Sequence, residues 1–309
     1  MVFTMIQDLK KYLNLKTPLF QFSLFLSLFG ALSTIDLLIS TVNPVERNQY
    51  LMNAIVVFIT ASAVYYLIRY GFGVKGANPI NFLISTWIVY LLIHPTNSIW
   101  YFIIAIVVIG VGKYLLRRSN LPIFNPAALA LAITYGISVT VTWFNPGVRT
   151  LLVSWWGVDM TQNITNTIPV LNIVVPAFFL AVFVRYAGAF RRFRYGLIFF
   201  VTFLASMFVY TAITESLPNA LSFSYSNLFN ATAFCAFVML IEPKTSPIFP
   251  WQHVIIGIAS GLALSIFYTA LGTVIIDPLL TVVLFANLVT LLTKITYVTT
   301  VPLAKNPEK

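Results

Sequence analysis

Apolar residues run through this chain in stretches approaching 20, separated only by short polar joints. A segment of about 20 apolar residues spans the hydrocarbon core of a bilayer as a helix. Hydrocarbon offers no water to backbone N–H and C=O groups, so such a segment must close its own hydrogen bonds. The pattern predicts spans near 18–40, 51–69, 80–94, 99–116, 125–144, 168–187, 195–214, 228–242, 252–274 and 278–296. Of the 309 residues 59% are hydrophobic and 8% charged, against about 25% charged in soluble domains. The expected fold is an all-α polytopic membrane protein with ten transmembrane helices.

The positions of the charges orient the chain. A net charge of +10 raises the question of nucleic acid, but no basic stripe with interleaved aromatics occurs in a soluble segment, so nucleic-acid binding is not expected. With the N-terminus inside, every Lys and Arg except Arg47 and Arg149 falls on an inner segment, Lys113, Arg117, Arg118 and Lys244 among them. That bias follows the positive-inside rule and predicts cytoplasmic N- and C-termini. Lys10, Lys11 and Lys16 precede an apolar run from Leu19 to Ser40, longer than a signal-peptide core of about 7–15 residues, so it reads as a retained first span.

The third and eighth spans are short, and each stops at a proline, in Ile93-His-Pro-Thr-Asn-Ser98 and Met239-Leu-Ile-Glu-Pro-Lys-Thr-Ser-Pro247. Aligning Pro95 with Pro243 superposes His94 on Glu242 and Ser98 on Ser246. Ten spans divide into five plus five, and an odd-numbered unit inverts its copy across the membrane. The expected organisation is one membrane domain, 1–309, with inverted repeats over about 17–144 and 168–296, an outer loop over about 145–167 and a tail over 297–309. A fainter echo sets Phe124-Asn-Pro-Ala-Ala128 against Phe285-Ala-Asn-Leu-Val289. Chance likeness between apolar helices is the competing account. Short, Pro-interrupted spans at matching positions of two halves point to a transport site.

Glu242 is the one acid placed at an inner helix end, where a carboxylate beside a break can bind a cation or relay a proton. The plain alternative is an interfacial Glu paired with Lys244 or a neighbouring basic loop. His94 reads as a proton-relay partner at the opposite face or as a helix cap, and His253 as an interfacial anchor. Asn125 before Pro126 is an N-cap followed by N1, and the dipole there also favours an anion such as phosphate. Asn230 and Thr232 open the eighth helix in a similar way. Trp155 and Trp156 read as interfacial anchors or as a platform for a flat ring. Asn163-Ile-Thr165 is a glycosylation acceptor that matters only in a eukaryotic secretory pathway. Cys235 reads as a small buried hydrophobe. Phosphate-cradling glycine loops, metal-spaced His/Cys clusters and Ser-His-Asp sets are absent from the sequence.

Two segments carry a family resemblance. Lys113-Tyr-Leu-Leu-Arg-Arg-Ser-Asn-Leu-Pro-Ile-Phe-Asn-Pro-Ala-Ala128 and Met239-Leu-Ile-Glu-Pro-Lys-Thr-Ser-Pro247 resemble the corresponding segments of RnfD/NqrB membrane subunits. Ser154-Trp-Trp-Gly157 is similar to the short relatives often fused to a ferredoxin-reductase-like module. The resemblance covers about 80–294. It implies a membrane subunit of a flavin-dependent electron-transport complex, coupled to Na⁺ or H⁺ translocation, with a fold similar to urea and ammonium channels. It nominates Asn125, Glu242 and Thr245 as residues near the flavin or the ion route. It implies FMN or riboflavin as cofactor and, as partners, other subunits of a redox complex, including a separate flavin or iron–sulfur reductase. The membrane implied is a bacterial or archaeal cytoplasmic one.

Departures from the pattern are specific. The Ser-Gly-Ala-Thr-type motif that carries covalent FMN in longer members is missing, and Asp159-Met-Thr161 does not replace it, so any flavin is expected to bind noncovalently. Glu242 stands where longer members have Asp, and Ile241 where Thr is usual. Two other readings use the same scaffold: a channel or carrier for a small solute, and a membrane anchor for a separate reductase.

Overall fold

The computed structural model describes residues 14, 16–74, 77–118, 121–144, 153–158, 171–228, 230–271 and 277–300. The acceptor Asn163–Thr165, the Asp159–Thr161 segment, Arg149, Lys10, Lys11, Lys305 and Lys309 lie outside the described residues. Helices begin where an N-cap meets a proline. Asn43 before Pro44 and Asn78 before Pro79 each place a side-chain oxygen on the N–H two residues on, at 3.0 and 2.9 Å. Proline at N1 loses no helical bond there, since that N–H has no partner inside the helix.

The helices are α1 (Pro18–Ser40), α2 (Pro44–Tyr66, continuing as a π-turn over Leu67–Gly71), α3 (Pro79–Leu92), α4 (Ile99–Tyr114), α5 (Pro126–Phe144), α6 (Leu171–Ala189), α7 (Phe193–Thr214), α8 (Leu217–Leu228), α9 (Ala231–Phe234, continuing as a π-turn over Cys235–Met239), α10 (Pro250–Ala270) and α11 (Pro278–Thr300). A two-residue antiparallel pairing, β1 (Arg117–Arg118) with β2 (Leu121–Pro122), joins α4 to α5. Among the described residues, Pro18–Ser40, Pro44–Gly71, Phe193–Thr214 and Pro250–Ala270 are long and apolar enough to cross a membrane. Their outer faces suit lipid: Ile55 and Ile59 on α2, Val209 and Ile213 on α7, and Ile255, Leu262 and Ile266 on α10 are all exposed.

Two boundaries differ from the sequence expectation in a telling way. The apolar run expected at 80–94 stops at Leu92. The one expected at 228–242 is split between the end of α8 and the short α9 with its π-turn. Both short elements lie in the middle of the bundle, and the whole of α9 and its π-turn beyond Ala231 is buried, Cys235 included. The helix pairing repeats across the chain. In the first part α2 packs on α4, α4 on α5, α1 on α3, α2 on α3 and α3 on α5. In the second, α7 packs on α10, α10 on α11, and α6, α7 and α11 each on the π-turn of α9. Between the two parts, α1 meets α6 and α5 meets α11.

Small residues set the closest approach. A Cβ on Gly261 of α10 would lie 2.8 Å from the Phe199 carbonyl oxygen of α7, and one on Gly257 would lie 2.9 Å from Ile198. Glycines four apart let two membrane helices bring their backbones together. The Ser206 and Ser265 hydroxyls pair across the same seam.

Candidate functional site

The eighth expected span breaks where it does because Pro243 disfavours the helical conformation for the residue before it. Leu240 N–H reaches back to the Cys235 carbonyl at 2.9 Å, closing the π-turn. Beyond it the chain turns, and the Glu242 carbonyl accepts from Thr245 N–H at 3.2 Å and Ser246 N–H at 3.0 Å. π-turns inside helices gather at functional sites. At the other end Asn230 Oδ1 accepts from Thr232 N–H at 2.9 Å, while the Thr232 hydroxyl donates to Asn227 Oδ1 at 2.8 Å. Asn230 and Thr232 thus spend these groups on starting α9.

Asn125 ties three elements together. Its Oδ1 accepts from Ala127 and Ala128 N–H at 3.0 and 3.1 Å, capping α5. Its Nδ2 donates to the Met239 carbonyl at 2.9 Å, where the turn past the break supplies only the long 3.5 Å bond from Glu242 N–H. Its own N–H donates to Asn287 Oδ1 of α11 at 2.6 Å. The two segments that echo each other in sequence, 124–128 and 285–289, therefore meet. The N-terminus of α5 is capped from within, so the N–H groups expected to favour a phosphate are already taken.

Glu242 faces a cavity of about 30 Å³, bordered also by Asn81, Ser85, Lys113 and Asn125. Its Oε2 is buried and has no hydrogen-bond partner among the described residues. Thr245 approaches the same carboxyl, but its hydroxyl closes no hydrogen bond. Lys113 is 2% exposed. Its Nζ donates to the Asn81 carbonyl and, at 2.8 Å, to Ser85 Oγ. That corrects its place among the inner-loop cations: it stands on the last turn of α4 and points into the bundle toward α3. Arg117, one turn on, donates from Nε to the Lys113 carbonyl at 2.6 Å. Lys244, in the loop after the break, is half-buried, and desolvation pulls its pKa down against the pull of Glu242. A cavity of this size holds a water molecule or two, far below the roughly 300–1,000 Å³ of ligand pockets.

His94 does not border this cavity. Its Nδ1 pairs with the Thr96 hydroxyl, and its carbonyl accepts from Asn97 N–H at 3.0 Å and Asn97 Nδ2 at 2.9 Å. Asn53 of α2 steadies the same break by donating to the Pro95 and Asn97 carbonyls at 2.8 and 3.1 Å. The structure keeps the two aligned residues His94 and Glu242 in separate surroundings. His253 is buried, with Nε2 against the Pro247 carbonyl at 3.1 Å, instead of standing out as an interfacial anchor.

The paired tryptophans also turn inward. Trp156 Nε1 donates to the Tyr90 and Ile93 carbonyls at 3.1 and 2.7 Å. Gly157 N–H donates to the Leu91 carbonyl and Ser154 N–H to the Leu92 carbonyl, both at 3.0 Å. A helix leaves its last carbonyls unpaired, and segment 153–158 fills those of α3. Trp155 takes the left-handed φ of 55°, uncommon for a residue with a side chain, and its Nε1 donates to Asp277 Oδ2 at 3.0 Å. Asp277 Oδ1 in turn accepts from Leu280 N–H at 2.8 Å at the start of α11. Burial pushes the Asp277 carboxyl above its usual range, with the Trp155 indole pulling the other way.

Of the residues gathered here, the sequence nominated Glu242, Asn125 and Thr245, and it did not nominate Lys113, Asn81, Ser85 or Asn287. Only the position of Lys113 at the head of a resemblance segment marked it out. No protein-family model matches this chain, and no curated protein matches it in sequence. The nominated flavin residues Asn125, Asn230, Thr232, Trp155 and Trp156 all commit polar groups to the protein, and the space at Glu242 is too small for an isoalloxazine ring.

Proposed function

We propose that this chain is an integral membrane subunit of an electron-transport complex of the RnfD/NqrB type, in which Glu242 exchanges an ion across a broken helix. One observation carries the reading: a carboxylate oxygen sealed from solvent and unpaired, facing a buried lysine over a water-sized cavity. A buried charge without compensation is costly to stability, and intramembrane acids at breaks mark ion and proton paths. The matching pairwise packing of the two parts supports the five-plus-five inverted repeat, and the exposed apolar helix faces support a place in a bilayer, which the resemblance makes a bacterial or archaeal cytoplasmic one.

The cavity has no room for flavin, so any FMN or riboflavin of such a complex binds elsewhere. The chain's own part is to hold Glu242 past the end of the π-turn, with Asn125 donating to the Met239 carbonyl, and to bury its Oε2. A separate reductase subunit is the expected partner.

The test joins two readouts. The protein is purified with its co-purifying partners and denatured, and released flavin fluorescence is measured. The complex is then reconstituted in vesicles, and ion uptake is followed as reduced donor is added. Glu242→Gln is expected to abolish coupled uptake while electron transfer continues. Uptake unchanged in Glu242→Gln removes the carboxyl from the path. Solute flux without any donor or flavin favours the channel reading, whereas recruitment of a reductase by a flavin-free, flux-free protein favours the anchor.

A further inference from the structure

Lys113 has no place in the reading of Glu242 as a lone acid at a break, and its surroundings are specific. It is almost fully buried, and two of its three N–H groups are taken by the Asn81 carbonyl and Ser85 Oγ of α3. An ammonium held in this way cannot swing out to the surface. Across the cavity Glu242 Oε2 has no partner, so the two charges stand apart with water-sized space between them.

Other charges near the pair are cationic. Among the described residues, Lys244 and Arg117 both act on Lys113 through space, and Glu242 is the acid that does. The balance around the cavity is therefore positive. We propose that Lys113 is a resident counter-cation that closes the Glu242 cavity to Na⁺ and leaves the proton as the ion this site exchanges. The proposal rests on the reading of Glu242 as an ion-exchange group and names its ion.

The physical reasons are charge and ligand supply. A hard cation shedding its water needs several oxygens around it. Of the oxygens here, Ser85 Oγ already accepts from Lys113 and the Asn125 amide oxygen is used twice on α5. The Thr245 hydroxyl, which closes no hydrogen bond, adds one neutral oxygen to the carboxylate, too few for a dehydrated cation. A second cation would also sit beside a fixed ammonium in a medium that screens poorly. A proton needs neither ligands nor space. It reaches Glu242 Oε2 from a cavity water that gives up one hydrogen as it takes another from the donor beyond, one O–H bond forming at the carboxyl as another breaks, so no separate cation resides beside the ammonium; the reverse step releases it.

The experiment compares melting temperatures of the whole purified protein in NaCl, KCl and choline chloride at equal ionic strength. A ligand bound only by the folded state raises Tm by mass action. Wild type and Glu242→Gln are expected to melt alike in all three salts. Lys113→Met, which removes the ammonium, is expected to gain a Na⁺-specific rise of about 2 °C or more, lost again in Lys113→Met/Glu242→Gln. Lys113→Gln is made in parallel in case the apolar variant does not fold. A Na⁺-specific rise in wild type that disappears in Glu242→Gln overturns the proposal whatever the variants do. So does a folded lysine variant that stays blind to Na⁺. None of this depends on flavin or donor: a Na⁺-blind protein without flavin defeats the redox reading alone, and a flavoprotein that binds Na⁺ defeats this proposal alone.

Discussion

Asn125 and Asp277 do more than start helices. Each caps one end of its own helix and at the same time reaches a group on another element, Asn125 to the Met239 carbonyl and Asp277 to the Trp155 indole. Replacing Asn125 by Ala removes an N-cap, worth about 1 kcal/mol, and leaves the buried Met239 carbonyl with only the long 3.5 Å bond from Glu242 N–H, a further loss of about 1 kcal/mol. Asn125→Ala is therefore expected to lower Tm in detergent clearly, and by more than Asn230→Ala, whose side-chain acceptor serves only the local N–H of Thr232. For Asp277 the sign follows from its raised pKa. The folded state holds its proton at pH values where the unfolded state has lost it, so this group's stabilisation is present at low pH and fades as pH rises through the folded value. Asp277→Asn keeps one acceptor oxygen for two donors, the Leu280 N–H and the Trp155 indole, so it is expected to fall below wild type, by most toward pH 4 and by least near pH 7. Melting curves across this range check it; a constant offset at every pH contradicts it.

The start of α5 was legible, because Asn125-Pro126 carries its own instruction within a few residues. By contrast α2 begins at Pro44, ahead of the span expected from 51, since the polar stretch Glu46 to Gln49 hides its first turn from a count of apolar residues. The two proline breaks were legible for the same local reason. What escaped was everything that needs a partner from far along the chain. Lys113 lies one residue from the end of α4, where a count of charges assigns it to a loop; only α3, packed alongside, shows that its ammonium turns inward. Trp155 and Trp156 have side chains that suit an interface equally well, and only the unpaired carbonyls of α3 decide otherwise. The α8 helix was hidden because Leu217–Leu228 mixes Asn and Ser with its apolar residues. At the α7–α10 seam, Gly261→Val is expected to force the helices apart at a cost of about 1–3 kcal/mol. Gly136→Ala on α5 meets nothing within 4 Å, so the usual preference for Ala in a helix, about 0.5–1 kcal/mol, should stabilise. Thermal melts of the pair separate crowding from propensity.

On the scale of the whole molecule, the expected orientation places Arg47 and Arg191 on opposite faces, and both side chains are exposed. The single cysteine of the chain, Cys235, is buried, which gives a silent background. In intact right-side-out vesicles a membrane-impermeant maleimide is expected to label Arg47→Cys at once and Arg191→Cys only after permeabilisation. Labelling of both from one side contradicts the ten-span arrangement. The repeated packing of the two parts was foreshadowed only by the proline echo, since pairings between helices leave almost no trace in apolar sequence. Of the site itself, the acid and the asparagine were readable and the lysine that faces the acid was not.

The cap on α3 also imposes an order in time. Helix α3 ends at Leu92, yet the groups that close its last carbonyls arrive with Val153–Val158, about 60 residues later. At a synthesis rate of about 5–20 residues per second, the ribosome leaves that helix end open for roughly 3–12 seconds. During that interval a helix too short to cross a bilayer unaided has four backbone acceptors and no partners for them. Whatever shelters it then, be it the insertion machinery or its neighbours α1 and α2, is a participant in the birth of this protein that leaves no mark on its finished form.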